Sequence, residues 1–194
     1  SCDVFCEEGV FSLEQSRRVL TAARAMGFPL KIHVDEFQPL GGTRLAVELG
    51  AVSADHLVCT PAEEIALLAR SDTIAVSLPG TPFGLAHPAY TPARAIIDQG
   101  GALALATDLN PGTCYCESMP FMLALACRYM RFWPAEAIAA ATINAAHALR
   151  MGHRVGSIEA GKQADIIVLD LLLPYRFGTN PVKMVIKRGQ VVLE

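Results

Sequence analysis

The run GALALATDLNPG, residues 101–112, carries an apolar stretch straight into an aspartate, an asparagine, a proline and a glycine. An apolar run of this length, closed by turn residues, reads as a buried strand. It delivers a carboxylate, Asp108, to the strand tip, where an unpaired charge is costly. Working outward from it, the preceding sequence alternates strand and helix patterns. SCDVFC opens as a strand, and a helical pattern follows, with Ser12 and Gln15 as a capping box and Gly27 as its stop. LKIHV is the second strand, and a helix runs from near Thr43 to Leu49. ADHLVC is the third strand, followed by a helix with Thr60 as N-cap and Pro61 at its first position. TIAVSL is the fourth strand, and Thr91 caps a short helix before the fifth, ALALA.

Five βα units in succession imply a parallel sheet covered on both faces. Without a glycine-rich phosphate fingerprint, they favour part of a (β/α)8 barrel. A flavodoxin-like doubly wound sheet is the alternative, with its binding crevice where strand order reverses. Two helical patterns follow, Met119 to Arg131 and Pro134 to Leu149, with Met119, Met122 and Met130 read as core packing. From Val155 the chain changes to GSIEAGKQADIIVLD and VKMVIKRGQVVL, which read as strands separated by turns. The expected division is a barrel portion over 1–150 and a small β segment over 151–194. Ser1 stands inside the first strand pattern, so the chain reads as the back portion of a longer protein.

Composition narrows the function classes. Hydrophobic residues are 52%, charged residues 18% and net charge is −3. The mixed charges give no footprint for nucleic acid, and no apolar run reaches the roughly 18 residues of a membrane span. Six irregularly spaced cysteines suggest small buried hydrophobes in a reduced, cytoplasmic protein rather than a disulfide framework.

In a β/α barrel the working residues stand at the C-terminal strand ends. Here those ends hold Glu7, then His33 with Asp35 and Glu36, then Asp108, with His56 in the third strand. His33 with Asp108 offers imidazole nitrogen and carboxylate oxygen, a donor set suited to zinc or iron. Taken singly, His33 also reads as a satisfied core histidine and Asp108 as a turn former. Glu36 is either a proton shuttle facing the same cavity or a solvated loop acid. His56 either stabilises developing charge or bonds a neighbouring carbonyl. Asn110, Gly112 and Thr113 form a turn whose N–H groups could hold a substrate carboxylate, or an ordinary turn. His87 reads as an exposed loop residue, and His147 and His153 as helix-end cations.

Taken together, DVFCEEGVFS, KIHVDEF, ADHL, ATDLNPGT and GSIEAGKQADIIVLD resemble, in order and over essentially the whole chain, the imidazolonepropionase family of the metal-dependent amidohydrolase superfamily. The tail motif is shared across many amidohydrolases and speaks only for the superfamily. The resemblance implies one zinc or iron ion held by an H-x-H pair, a later histidine matching His33 and a final aspartate matching Asp108. It implies Glu36 as the acid/base that also contacts substrate and His56 as the catalytic histidine. The turn Asn110, Gly112 and Thr113 would bind the propionate. The implied reaction is hydrolysis of 4-imidazolone-5-propanoate to N-formimidoyl-L-glutamate, in a cytoplasmic homodimer. One departure is large: no H-x-H occurs, and the five histidines are far apart. The chain is therefore expected to hold two of four ligands and to be inactive by itself. The other readings are a ring hydrolase or deaminase of the same superfamily, a non-catalytic piece packing on a partner, and a flavodoxin-like binding module.

Overall fold

The computed structural model describes residues 1–169 and 180–193; Asp170, which ends the tail motif, lies outside them. Five strands, β1 (Cys2–Cys6), β2 (Leu30–Val34), β3 (Ser53–His56), β4 (Ile74–Ser77) and β5 (Leu103–Leu105), form one sheet in the order β1-β2-β3-β4-β5. Every pairing is parallel. The connecting helices are α1 (Leu13–Ala25), α2 (Gly42–Leu49), α3 (Ala62–Leu68) and the pair α4 (Gly80–Gly84) and α5 (Ala93–Asp98). A doubly wound sheet requires a reversal of strand order. None exists here, so the flavodoxin-like alternative is overturned and the sheet is an arc of a β/α barrel.

The pleat divides this arc by chemistry, because successive strand residues point to opposite faces. Val4 and Cys6, Leu30, Ile32 and Val34, Ala54, Ala75, and Leu103 and Leu105 join Leu20, Leu45, Ile65, Leu68 and Ile96 of the helices in one buried core. The other face carries, in register, Asp3 beside Lys31 and Phe5 beside His33. It continues with Ser53 beside Lys31 and Asp55 beside His33. The strands are thus apolar on one face only where the sequence suggested both. Further along the sheet this inner face turns apolar again, where Ile74, Val76 and Ala104 pack with Ala145 and Ala148.

Helix α6 (Met119–Tyr129) leads to α7 (Pro134–Ala139), a π turn (Ala140–Asn144) and α8 (Ala145–Ala148). Asn144 Nδ2 donates to the Leu103 carbonyl at 2.9 Å, and Lys31 Nζ reaches the Ala148 carbonyl at 3.4 Å. Met122 and Met130 are buried and Met119 packs beside them, as the core reading required. A separate antiparallel sheet joins β6 (Ile166–Leu169), β7 (Val182–Lys187) and β8 (Gln190–Leu193). Arg188 and Gly189 both have positive φ, 51° and 80°, as a two-residue hairpin of the primed type demands.

Two expected helix caps fail because the side chain has a better partner, and several boundaries differ from the sequence reading. Ser12 and Gln15 do form the capping box of α1. Thr60 does not cap α3, because its hydroxyl donates to Asp35 Oδ2 at 3.0 Å. Thr91 does not cap α5, because its hydroxyl donates to the His56 carbonyl at 2.6 Å. The third strand stops at His56, where φ of 77° at His56 and 61° at Leu57 turns the chain out of the sheet. The fifth stops at Leu105, leaving Asp108 in the loop beyond it. Among the described residues of the tail motif, only Ile166–Leu169 is strand. Only Cys6 and Cys114 of the six free cysteines are fully buried.

Leu20 has no exposed surface whereas Val19, one residue before it, is 40% exposed. Leu20→Ala is expected to lower unfolding stability by about 2–5 kcal/mol. Val19→Ala should cost less than about 1 kcal/mol in the same urea denaturation series. Equal losses would contradict the assignment of the core face.

Candidate active site

The loop after β2 is pinned from both sides by acids. Glu7, at the end of β1, accepts the Phe37 N–H at 2.9 Å and the Gln38 N–H at 3.3 Å. Asp35, with φ of 51°, sends its carboxylate to Thr43 Oγ1 at 2.6 Å and Thr60 Oγ1 at 3.0 Å. Both are spent on holding the loop. Between them Glu36 is left buried, with its Oε2 3.6 Å from His56 Nε2. That separation is too long for a hydrogen bond.

Close packing explains why the chain after this loop begins α2 with glycine. A Cβ on Gly42 would stand 2.5 Å from Val34 Cγ1, so any side chain there would displace the end of β2.

His33 and His56 face each other with ring centroids 5.2 Å apart, and the edge of Phe5 meets His33 at 5.9 Å. His33 Nδ1 pairs with Asp3 Oδ1 at 3.0 Å. Burial by itself would lower the His33 pKa, but the bond to Asp3 and the charges of Asp3, Asp55 and Asp108 outweigh it and raise it. His56 goes the other way: burial, helped by the nearby His33, pushes it down to about 3. His56 is therefore a neutral imidazole near pH 7, and its Nδ1 is buried without a hydrogen bond. Burial, reinforced by the charge of Asp108, lifts Glu36 from near 4.5 to about 7. Asp108 itself sits at φ of 55° and accepts the Thr81 hydroxyl at 2.6 Å through Oδ2.

Asp108 acts on the charge of both His33 and Glu36, and His33 acts on that of Glu36 and His56. The donor chemistry suits a borderline metal such as zinc. Asp3 occupies one nitrogen of His33 and Thr81 one oxygen of Asp108, leaving His33 Nε2 and Asp108 Oδ1 as ligand atoms. Among the described residues, however, the group of three whose ligand atoms all lie within 4.8 Å of one another is Asp3, His33 and Asp55. Asp3, Asp55 and Thr81 were not legible as site residues. Only the strand register puts Asp3 and Asp55 beside His33, and Thr81 lies on the unforeseen helix α4.

The turn after Asp108 is more closed than expected. Gly112 N–H and Thr113 N–H both donate to Asn110 Oδ1 at 2.8 Å, and Asn110 Nδ2 donates to the Asp108 carbonyl at 2.7 Å. These N–H groups are engaged within the turn rather than free, because an asparagine side chain at the turn's start mimics the backbone.

The raised pKa of Glu36 carries a stability cost. A carboxyl whose folded pKa lies above its unfolded value loses stability as pH rises from about 4.5 toward about 7. In the metal-stripped protein, Glu36→Gln should therefore stabilise at pH 8, by up to about 3 kcal/mol. The gain should vanish near pH 4 when melting is compared across pH; a pH-independent gain would contradict the burial of a reluctant carboxylate.

Comparison with known proteins bears on the family and the fold. The family model described as the amidohydrolase family matches residues 7–192. An imidazolonepropionase of Herpetosiphon aurantiacus is 61% identical over 99% of this chain and 46% of its own length. That of Bacteroides fragilis is 53% identical over 98% of this chain and 46% of its own. The chain thus spans about half the length of the curated relatives it matches. Among solved structures, a zinc-bound adenosine deaminase from Xanthomonas campestris superposes with a TM-score of 0.75 at 25% identity, over 95% of this chain and 49% of that one. A triazine hydrolase from Arthrobacter aurescens shares the fold with a TM-score of 0.77 at 20% identity, over 99% of this chain and 50% of that one. With a family match running almost end to end over a barrel arc that gathers its polar residues at the strand ends, the chain belongs to the amidohydrolase family.

Proposed function

We propose that the protein carrying this chain hydrolyses the cyclic amide of 4-imidazolone-5-propanoate to N-formimidoyl-L-glutamate. The observation that carries the reading is the 61% identity to an imidazolonepropionase over 99% of the chain, a span that includes His33, Glu36, His56 and Asp108. In this reading His33 and Asp108 hold one zinc or iron ion, and the remaining ligands come from outside these 194 residues. Such an ion, when bound, supplies Lewis-acid activation of water. The chain alone is then inactive. The barrel portion is 1–150 and the β segment 151–194, and the protein is a cytoplasmic homodimer. Among the described residues no helix is long and apolar enough to cross a membrane, and the mixed charge offers nothing to nucleic acid.

Each side chain's part follows from its surroundings. Glu36 is buried and held by its loop, and its pKa near 7 lets it take a proton from the attacking water and return it to the departing ring nitrogen. His56, neutral and 3.6 Å from Glu36, is placed to donate a hydrogen bond to the carbonyl oxygen as negative charge develops there. Asn110, Gly112 and Thr113 receive the propionate, whose carboxylate replaces Asn110 Oδ1 as acceptor of the two N–H groups.

Two measurements on the natural protein test this. Glu36→Gln should lower turnover of 4-imidazolone-5-propanoate by about 10²–10⁴-fold, with the metal content unchanged. Chelation should abolish activity, and zinc or iron should restore it. Unchanged turnover in Glu36→Gln would remove the acid/base role. Full activity after metal removal, confirmed by metal analysis, would remove the metal.

A further inference from the structure

Asp3 is a solvent-exposed carboxylate on the polar face of the sheet, and it lies against a histidine of the neighbouring strand. Parallel register sets Asp3 beside Lys31 and Phe5 beside His33, so Asp3 lies diagonally one step behind His33 along the strands. Its Oδ1 is 3.0 Å from His33 Nδ1. Phe5 closes one side of the imidazole with its ring edge, and His56 lies across another. A ring so bracketed has few orientations left. Asp55 also faces His33 and is 7% exposed, but its charge lies near that of Lys31, and one of its oxygens is buried without a hydrogen bond. The two acids therefore differ: Asp3 bonds the imidazole, and Asp55 only approaches it.

We propose that Asp3 is a positioning residue for His33, its carboxylate accepting the Nδ1 proton so that Nε2 is held deprotonated and turned toward the metal. The inference rests on the reading of His33 as a metal ligand. Its physical basis is general: a metal-bound histidine needs its second nitrogen fixed by an acceptor, which sets the tautomer and increases the basicity of the ligating nitrogen. A carboxylate is the strongest such acceptor among side chains. Asp3 is then important to binding without touching metal or substrate.

The test compares the natural protein with its Asp3→Asn, Asp3→Ala and Asp55→Asn variants. Zinc affinity is read by chelator competition, and the His33 tautomer by nitrogen NMR of histidine-labelled, metal-free protein, assigned against His33→Gln. Asp3→Asn and Asp3→Ala should each weaken zinc binding by about 10–100-fold, with Asp55→Asn within about threefold of the parent. The parent's His33 should carry its proton on Nδ1, and Asp3→Ala should lose that preference. Unaltered affinity in both Asp3 variants, with metal present in the parent, would overturn the role of Asp3 and leave the metal reading intact. Complete loss of zinc in both Asp3→Asn and Asp55→Asn would make the two acids direct ligands and overturn positioning. A parent that binds neither zinc nor iron would overturn the metal reading and this inference with it. Should the Asp3 variants fail to fold, the parent's tautomer decides: a proton on Nε2 contradicts the proposal.

Discussion

Alternation along a parallel strand is the constraint on which everything else here depends. In β1, β2 and β3 one set of residues is apolar and packs under the helices, while the set between them carries Asp3, Lys31, His33, Ser53 and Asp55. A shift of register by a single residue would exchange the two sets. It would drive two acids, a lysine and a histidine into the helix-covered core, where each charge would need a partner. The same register therefore secures the fold and assembles the polar face on which a catalytic centre can stand.

The polar residues at the strand ends divide into those bound up in holding loops and those that are not. Glu7 and Asp35 look equivalent to Glu36 by residue type, yet both are tied by hydrogen bonds to the segments they bridge, through Oε2 of Glu7 and Oδ2 of Asp35. Glu36 is left as the buried acid facing His56, and its pKa rises to about 7 because burial and Asp108 disfavour its charge. Left-handed backbone at Asp35 and His56 marks where the chain turns at the ends of β2 and β3, and at Asp108 it marks the loop after β5. Such conformations persist only where surrounding contacts impose them. Here the contacts are hydroxyls: Thr43 and Thr60 for Asp35, Thr91 for His56 and Thr81 for Asp108.

Those hydroxyls also explain where sequence patterns misled. Thr60 and Thr91 stand in good capping positions, and local propensity assigns them to the helices that follow. Each instead donates across the top of the sheet to a group brought near only by folding. The Asn110 turn misled in a similar way. Its glycine and threonine N–H groups look available in sequence, but the asparagine side chain two and three residues back satisfies both.

Strand and helix order, the apolar helix-facing set, the capping box at Ser12 and the candidacy of His33, Glu36, His56 and Asp108 came from the sequence alone. They depend on short-range periodicity and on motifs a few residues long. Barrel over doubly wound sheet was settled by the unreversed strand order, which depends on pairings between segments tens of residues apart. The roles of Asp3, Asp55 and Thr81 were likewise tertiary, since nothing in Asp3's neighbourhood along the chain shows that His33, thirty residues later, lies one diagonal step away. Local sequence chooses the elements; only the register between them decides which charges meet, because a hydrogen bond acts over about 3 Å and not along the chain.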